Sequence, residues 1–136
     1  MSPPHRLSPS EVIRMHGTYH NDEGNFDAIV TSQDSRKLNN EARIKTEDKG
    51  IPKSDIEEIF KRTRELFQQS TFLDHRDGIH DTGTEKKDKY DRKRYVAIVK
   101  INGTPYKITY VVLFPKPDSK QTNTSIKLHN LYIDKQ

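Results

Sequence analysis

The 136-residue chain contains no cysteine and no tryptophan. Without cysteine, neither a disulfide framework nor a thiolate metal site can form. No apolar run approaches the roughly 20 residues that a helix needs to cross a bilayer. The opening residues, Met1 to Arg6, lack the apolar centre of a secretory signal. These absences point to a protein of the cytoplasm, resident there or delivered into that of a target cell, with no membrane partner. They also fit a module of something larger. Apolar side chains are scarce as well, at 30% of residues against 32% charged. That supply suits one domain with one modest core. A single domain over 1–136 is expected, with a helical or irregular region over 1–53 and a core of helix plus sheet over 54–136.

What the chain has in excess is positive charge at one end. Residues 1–85 carry 12 basic and 16 acidic side chains, whereas residues 86–136 carry 12 basic and 4 acidic. A run of Lys86, Lys87, Lys89, Arg92, Lys93 and Arg94 leads into two apolar segments, Tyr95–Ile101 and Tyr106–Phe114. Between them stands Asn102-Gly103, followed by Thr104-Pro105. Asn-Gly between alternating runs is a strong hairpin signal, because such turns need positive φ. A cationic surface on a rigid scaffold draws polyanions, nucleic acid foremost, then a membrane surface or an acidic protein. Lysines on a sheet edge also serve simply to block strand-to-strand aggregation.

Upstream, Ser8-Pro9-Ser10-Glu11 reads as a helix start, and a short helix over about 9–16 closed by Gly17 is expected. Thr18–Asn25 reads as a polar loop, Phe26–Thr31 as a short strand, and Asp34–Lys45 as a helix with a thin apolar face. The clearest helix begins at Ser54, with Glu57 three residues on. Its stripe of Ile56, Ile59, Phe60, Thr63, Leu66 and Phe67 faces a sheet. Phe72–Tyr90 reads as a polar link, Pro115–Thr124 as a loop, and Ser125–Ile133 as a last strand. The expected class is α+β, with N-terminal helices packed on a C-terminal antiparallel meander of at least three strands.

Alternation places Tyr95, Ala97, Val99 and Ile101 on one sheet face and Arg94, Val96, Ile98 and Lys100 on the other. Tyr106, Ile108, Tyr110, Val112 and Phe114 likewise oppose Lys107, Thr109, Val111 and Leu113. A basic, hydroxyl-bearing sheet near an imidazole suits metal-free RNA cleavage. One group takes the ribose 2′-hydroxyl proton, another protonates the departing 5′-oxygen, and cations stabilise the charge on phosphorus. Histidine fits either proton role. His75 and His80 lie with Asp74, Asp77 and Asp81 just ahead of the basic run. As metal ligands they match no standard spacing, so neither metal nor cofactor is expected; catalysis by one of them competes with an inert polar loop.

The order of helix, His-bearing link, Arg94-Tyr95, Ile101-Asn102-Gly103, Tyr106–Thr109 and Leu131-Tyr132-Ile133 resembles the barnase, EndoU, colicin and RelE-like nuclease superfamily. The likeness spans roughly residues 54–136 and includes modules of phage and mobile-element polyvalent proteins and toxin carboxy-termini. It implies helices on a curved antiparallel sheet and RNA cleavage through a 2′,3′-cyclic phosphate. It further implies proton transfer by His75 or His80, phosphate stabilisation by Arg94 and Lys107, and supporting hydroxyls from Thr109 and Tyr132. An immunity or antitoxin protein is the partner that such a toxin implies, beside RNA held by Lys86, Lys87, Lys89, Arg92, Lys93 and Lys100. Two other readings stand: a non-catalytic interaction module, and a DNA-binding β-ribbon.

Overall fold

The structure, a computed structural model, describes residues 12–77, 90–116 and 125–136. Two strands come first, β1 (Gly17–Asn21) and β2 (Phe26–Val30). Helices follow: α1 (Ser32–Lys37), a π-helical segment (Leu38–Ala42), α2 (Arg43–Asp48), α3 (Lys53–Lys61) and α4 (Thr63–Gln69). The chain then returns to strands, β3 (Thr71–Asp77), β4 (Tyr90–Ile101), β5 (Thr104–Pro115) and β6 (Lys127–Lys135). All six strands form one sheet in the order β1-β2-β6-β5-β4-β3. The α+β class and the β4-β5-β6 antiparallel meander are as expected. Two details are corrected. The sheet is mixed, because β2 and β6 run parallel where Ile29 meets Lys127, and the helices lie between β2 and β3 rather than ahead of the sheet.

The hairpin forms for the anticipated reason: Asn102 and Gly103 take φ of 49° and 82° and reverse the chain in two residues. The apolar stripe of the clear helix is buried in full, from Ile56 through Phe67, although the helix breaks at Arg62, whose φ of −95° and ψ of 13° separate α3 from α4. Neither Ser54 nor Glu57 caps it; Pro52 occupies the cap position without a side-chain bond.

Three local expectations give way to tertiary contacts. Residues 12–16 are not helical, because side chains of the helical region grip their backbone: Asn39 Oδ1 accepts from Ile13 N–H at 3.0 Å, Asn39 Nδ2 donates to Ile13 O at 2.7 Å, and Ser35 Oγ accepts from Met15 N–H at 2.8 Å. Residues 9–11 lie outside the described residues. Gly17 opens β1 instead of closing a helix; its φ is +140°, and a Cβ there would collide with the Arg64 guanidinium. The supposed loop over 18–25 holds β1, and the supposed polar link after Phe72 holds most of β3.

The core lies between the helices and the inner sheet face, where Tyr95, Ala97, Ile101, Tyr106, Ile108, Tyr110, Val112, Leu128, Leu131 and Ile133 are buried. Leu128 and Leu131 stand an odd number of residues apart, yet both point inward. A bulge at His129 makes this possible, since Val112 pairs with Leu128 and Val111 with Asn130. The sheet also curls. In a flat sheet β2 and β4 would stand about 14 Å apart, yet the Phe26 ring of β2 lies 5.4 Å from the Tyr95 ring of β4 and 4.8 Å from that of Phe114. The curl brings the β1–β2 turn to the far edge, where Glu23 Oε2 accepts from Phe72 N–H of β3 at 2.5 Å.

Candidate functional site

The β3–β4 ladder sets His75 opposite Lys93. Residues directly opposite in an antiparallel pair share a face, and the face here is the inner one, since Lys93 Nζ sits 4.4 Å from the centre of the Phe114 ring. Asp91, two residues before Lys93, projects to the same side. Its Oδ1 lies 3.7 Å from His75 Nε2 and 4.0 Å from Lys116 Nζ. Phe72, 47% exposed, stands edge-on to Tyr95 at 5.7 Å nearby. One end of the inner face therefore gathers an imidazole, a carboxylate, two ammonium groups, the exposed Phe72 ring and the half-buried Phe114 ring. His75 is about half exposed and Asp91 less so, which suits groups that meet a solute without being buried from it.

The outer face carries a different set. Arg94 grips Asp74 across the ladder, Nε donating to Oδ1 at 2.7 Å and Nη2 to Oδ2. That hydrogen bond pushes the guanidinium pKa up, against a smaller opposing effect of burial. Next along the register, Thr109 lies between Val96 and Tyr132, and Lys107 between Ile98 and Asp134. Tyr132 is 39% exposed, and its hydroxyl accepts from Asn130 Nδ2 at 3.3 Å. Arg92 pairs with Leu113, and Lys100 with Pro105.

The expected site residues thus fall on two faces. His75 and Lys93 meet on the inner face; Arg92, Arg94, Lys100, Lys107, Thr109 and Tyr132 share the outer one. The expected convergence of His75 with Arg94 and Lys107 over one surface is not what the register gives. Lys93 and Arg94 are adjacent in a strand, so the partner of one points away from the other. His80, Lys86, Lys87 and Lys89 lie outside the described residues. Asp91, Lys116, Phe72 and Phe114 were missed as site residues. The period-two spacing of Asp91 and Lys93, with Phe114 opposite Asp91 in the hairpin register, was the signal available for Asp91 and Phe114.

The hairpin that the DNA-binding alternative uses as a ribbon has β3 on one side and β6 on the other. Among the described residues, no group of three or more His, Cys, Asp or Glu is placed to hold a metal ion, and no helix is long and apolar enough to cross a membrane. Comparison with protein-family models, with curated proteins and with solved structures gave no match.

Proposed function

We propose that the chain binds RNA and cleaves it at the open end of the inner face, by proton transfers that its own side chains carry. The observation that supports this most is the His75–Asp91 pair with Lys93 directly across the ladder. The Asp91 carboxylate faces the imidazole from 3.7 Å at Nε2 and favours the imidazolium that forms when His75 accepts a proton. His75 takes the proton of the ribose 2′-hydroxyl, whose oxygen attacks phosphorus and closes a 2′,3′-cyclic phosphate. The bond to the 5′-oxygen breaks, and an ammonium, Lys93 or Lys116, returns a proton to that oxygen. Both ammonium groups offset the negative charge on the phosphoryl oxygens. Phe72 offers a face on which an unpaired base can stack. The resemblance to the nuclease superfamily implies the same reaction, with proton transfer by His75 or His80.

The test is incubation of the purified chain with unstructured RNA in excess chelator, followed by inspection of the new ends. Fragments ending in cyclic phosphate are expected. His75→Ala should lower the rate by about 100-fold or more, with an unchanged circular dichroism spectrum. RNA left intact by the wild-type chain sinks the reading. One further observation favours a second reading: Phe72 and Leu73 are exposed side by side on edge strand β3, as a non-catalytic module that adds a partner's strand to its sheet would have them. Intact RNA together with binding of an extended peptide would support that module.

A further inference from the structure

The cleavage reading leaves the cations of the outer face unused. Arg92, Arg94 and Lys100 of β4, Lys107 of β5 and Lys127 of β6 all project there, over about 26 Å of strand from Arg92 to Lys100. Three carboxylates share this face among the described residues, and all are engaged: Asp74 by Arg94, Asp134 by Lys49 Nζ at 2.8 Å, and Asp27 of β2 by His20 Nδ1 at 2.8 Å. Lys100, Lys107 and Lys127 have no carboxylate partner among the described residues. Lys127 instead rests 5.7 Å from the centre of the Tyr90 ring. Exposed Tyr132 and Ile98, the latter 60% exposed, stand among these lysines. Unpaired ammonium groups spaced along a rigid sheet, with apolar surface between them, fit a flexible polyanion carrying bases better than a compact anion.

We infer that the outer face is a second contact for the RNA backbone, one that reads charge rather than sequence. A strand engaged at His75 passes over β3, the last strand of the sheet, and lies across β4, β5 and β6. Lys93 and Arg94 stand on opposite faces of β4, one strand in from that edge, so the two contacts are joined around β3. This rests on the reading of the inner face as the cleavage site, and it predicts a dependence on RNA length that the reading alone does not.

The test uses the full chain, a dinucleotide, and an unstructured oligonucleotide of about 20 nucleotides. In the triple variant Lys100→Gln, Lys107→Gln, Lys127→Gln, kcat/KM on the dinucleotide should match wild type. Affinity for the longer RNA should fall at least about tenfold, and the slope of log affinity against log salt should become shallower by about 2. The corresponding triple Lys→Arg variant should restore both. Unchanged affinity and slope in the Gln variant overturn the inference alone. So does loss of polyglutamate capture with RNA binding intact, which would mark an acidic-protein surface instead. A wild-type chain that acts on neither RNA overturns the cleavage reading and this inference with it.

Discussion

Asp55 sits in the first turn of α3, 4% exposed, and its two oxygens take different partners. Tyr106 Oη donates to Oδ2 at 2.5 Å, and Asn102 Nδ2 donates to Oδ1 at 2.8 Å. One carboxylate thereby ties the helix to the hairpin turn and to the first buried residue of β5. Burial first, then Asp55, pushes the Tyr106 hydroxyl pKa up to about 12. A raised folded pKa on a tyrosine favours the neutral form in the native state. Its contribution is complete below the unfolded value of about 10 and is lost as pH climbs from there towards 12. The midpoint of urea unfolding should therefore hold to about pH 10 and then drop. Tyr106→Phe should flatten part of that drop and cost about 1–3 kcal/mol at neutral pH, since Asp55 keeps only one donor. Tyr19 and Tyr110, both raised by burial, should leave a residual slope. Alternation alone placed Tyr106 on the inner face. Asp55 was hidden, because Ser54 and Glu57 form a capping pattern in which an acidic residue at position 55 reads as ordinary first-turn charge.

Between elements, Asn21 carries the corresponding task. It is fully buried at the end of β1. Its Nδ2 donates to the carbonyls of Phe67 at 2.9 Å and Ser70 at 3.0 Å, and its Oδ1 accepts from Gly24 N–H at 2.8 Å. The side chain thus closes the C-terminus of α4 and shapes the β1–β2 turn at once, satisfying carbonyls that a helix end leaves open. Asn21→Ala should cost about 1–3 kcal/mol, measured by chemical denaturation. Asn21→Asp, with the same shape, should cost more, because an oxygen would face two carbonyl oxygens. The same residue shows why β1 was illegible. Its inward positions are Tyr19 and Asn21, and a buried asparagine reads as loop in any pattern of apolar residues. An edge position hides β3 in a similar way, since Phe72 and Leu73 are adjacent and both exposed, and Leu73 sits in the bulge between Phe72 and Asp74. The β4–β5 hairpin and the α3–α4 stripe were legible because their signals are local: two positive-φ residues in one case, a helical period in the other.

At the scale of the whole molecule, the curl links the core to the candidate site. Phe26 packs on Phe114 at 4.8 Å, and Phe114 in turn lies 4.4 Å beneath Lys93 Nζ, the group opposite His75. The sequence showed which residue types would make up a site but not which face each would occupy. That depended on the register of β3 against β4, and a strand unseen in the sequence has no register to read. The consequence is that Phe26, far from His75 along the chain, supports the site. Phe26→Ala should lower stability by about 3 kcal/mol and loosen the Phe114 ring on which Lys93 rests. On the proposed function, kcat for RNA cleavage should fall several-fold in the folded fraction, while the affinity for long RNA proposed for Lys100, Lys107 and Lys127 should stay at the wild-type value. Phe26→Leu, which keeps most of the volume, should retain most of both. Stopped-flow cleavage and filter binding on the two variants separate these quantities. A folded Phe26→Ala chain with undiminished kcat would show that Lys93 holds its place without the aromatic stack.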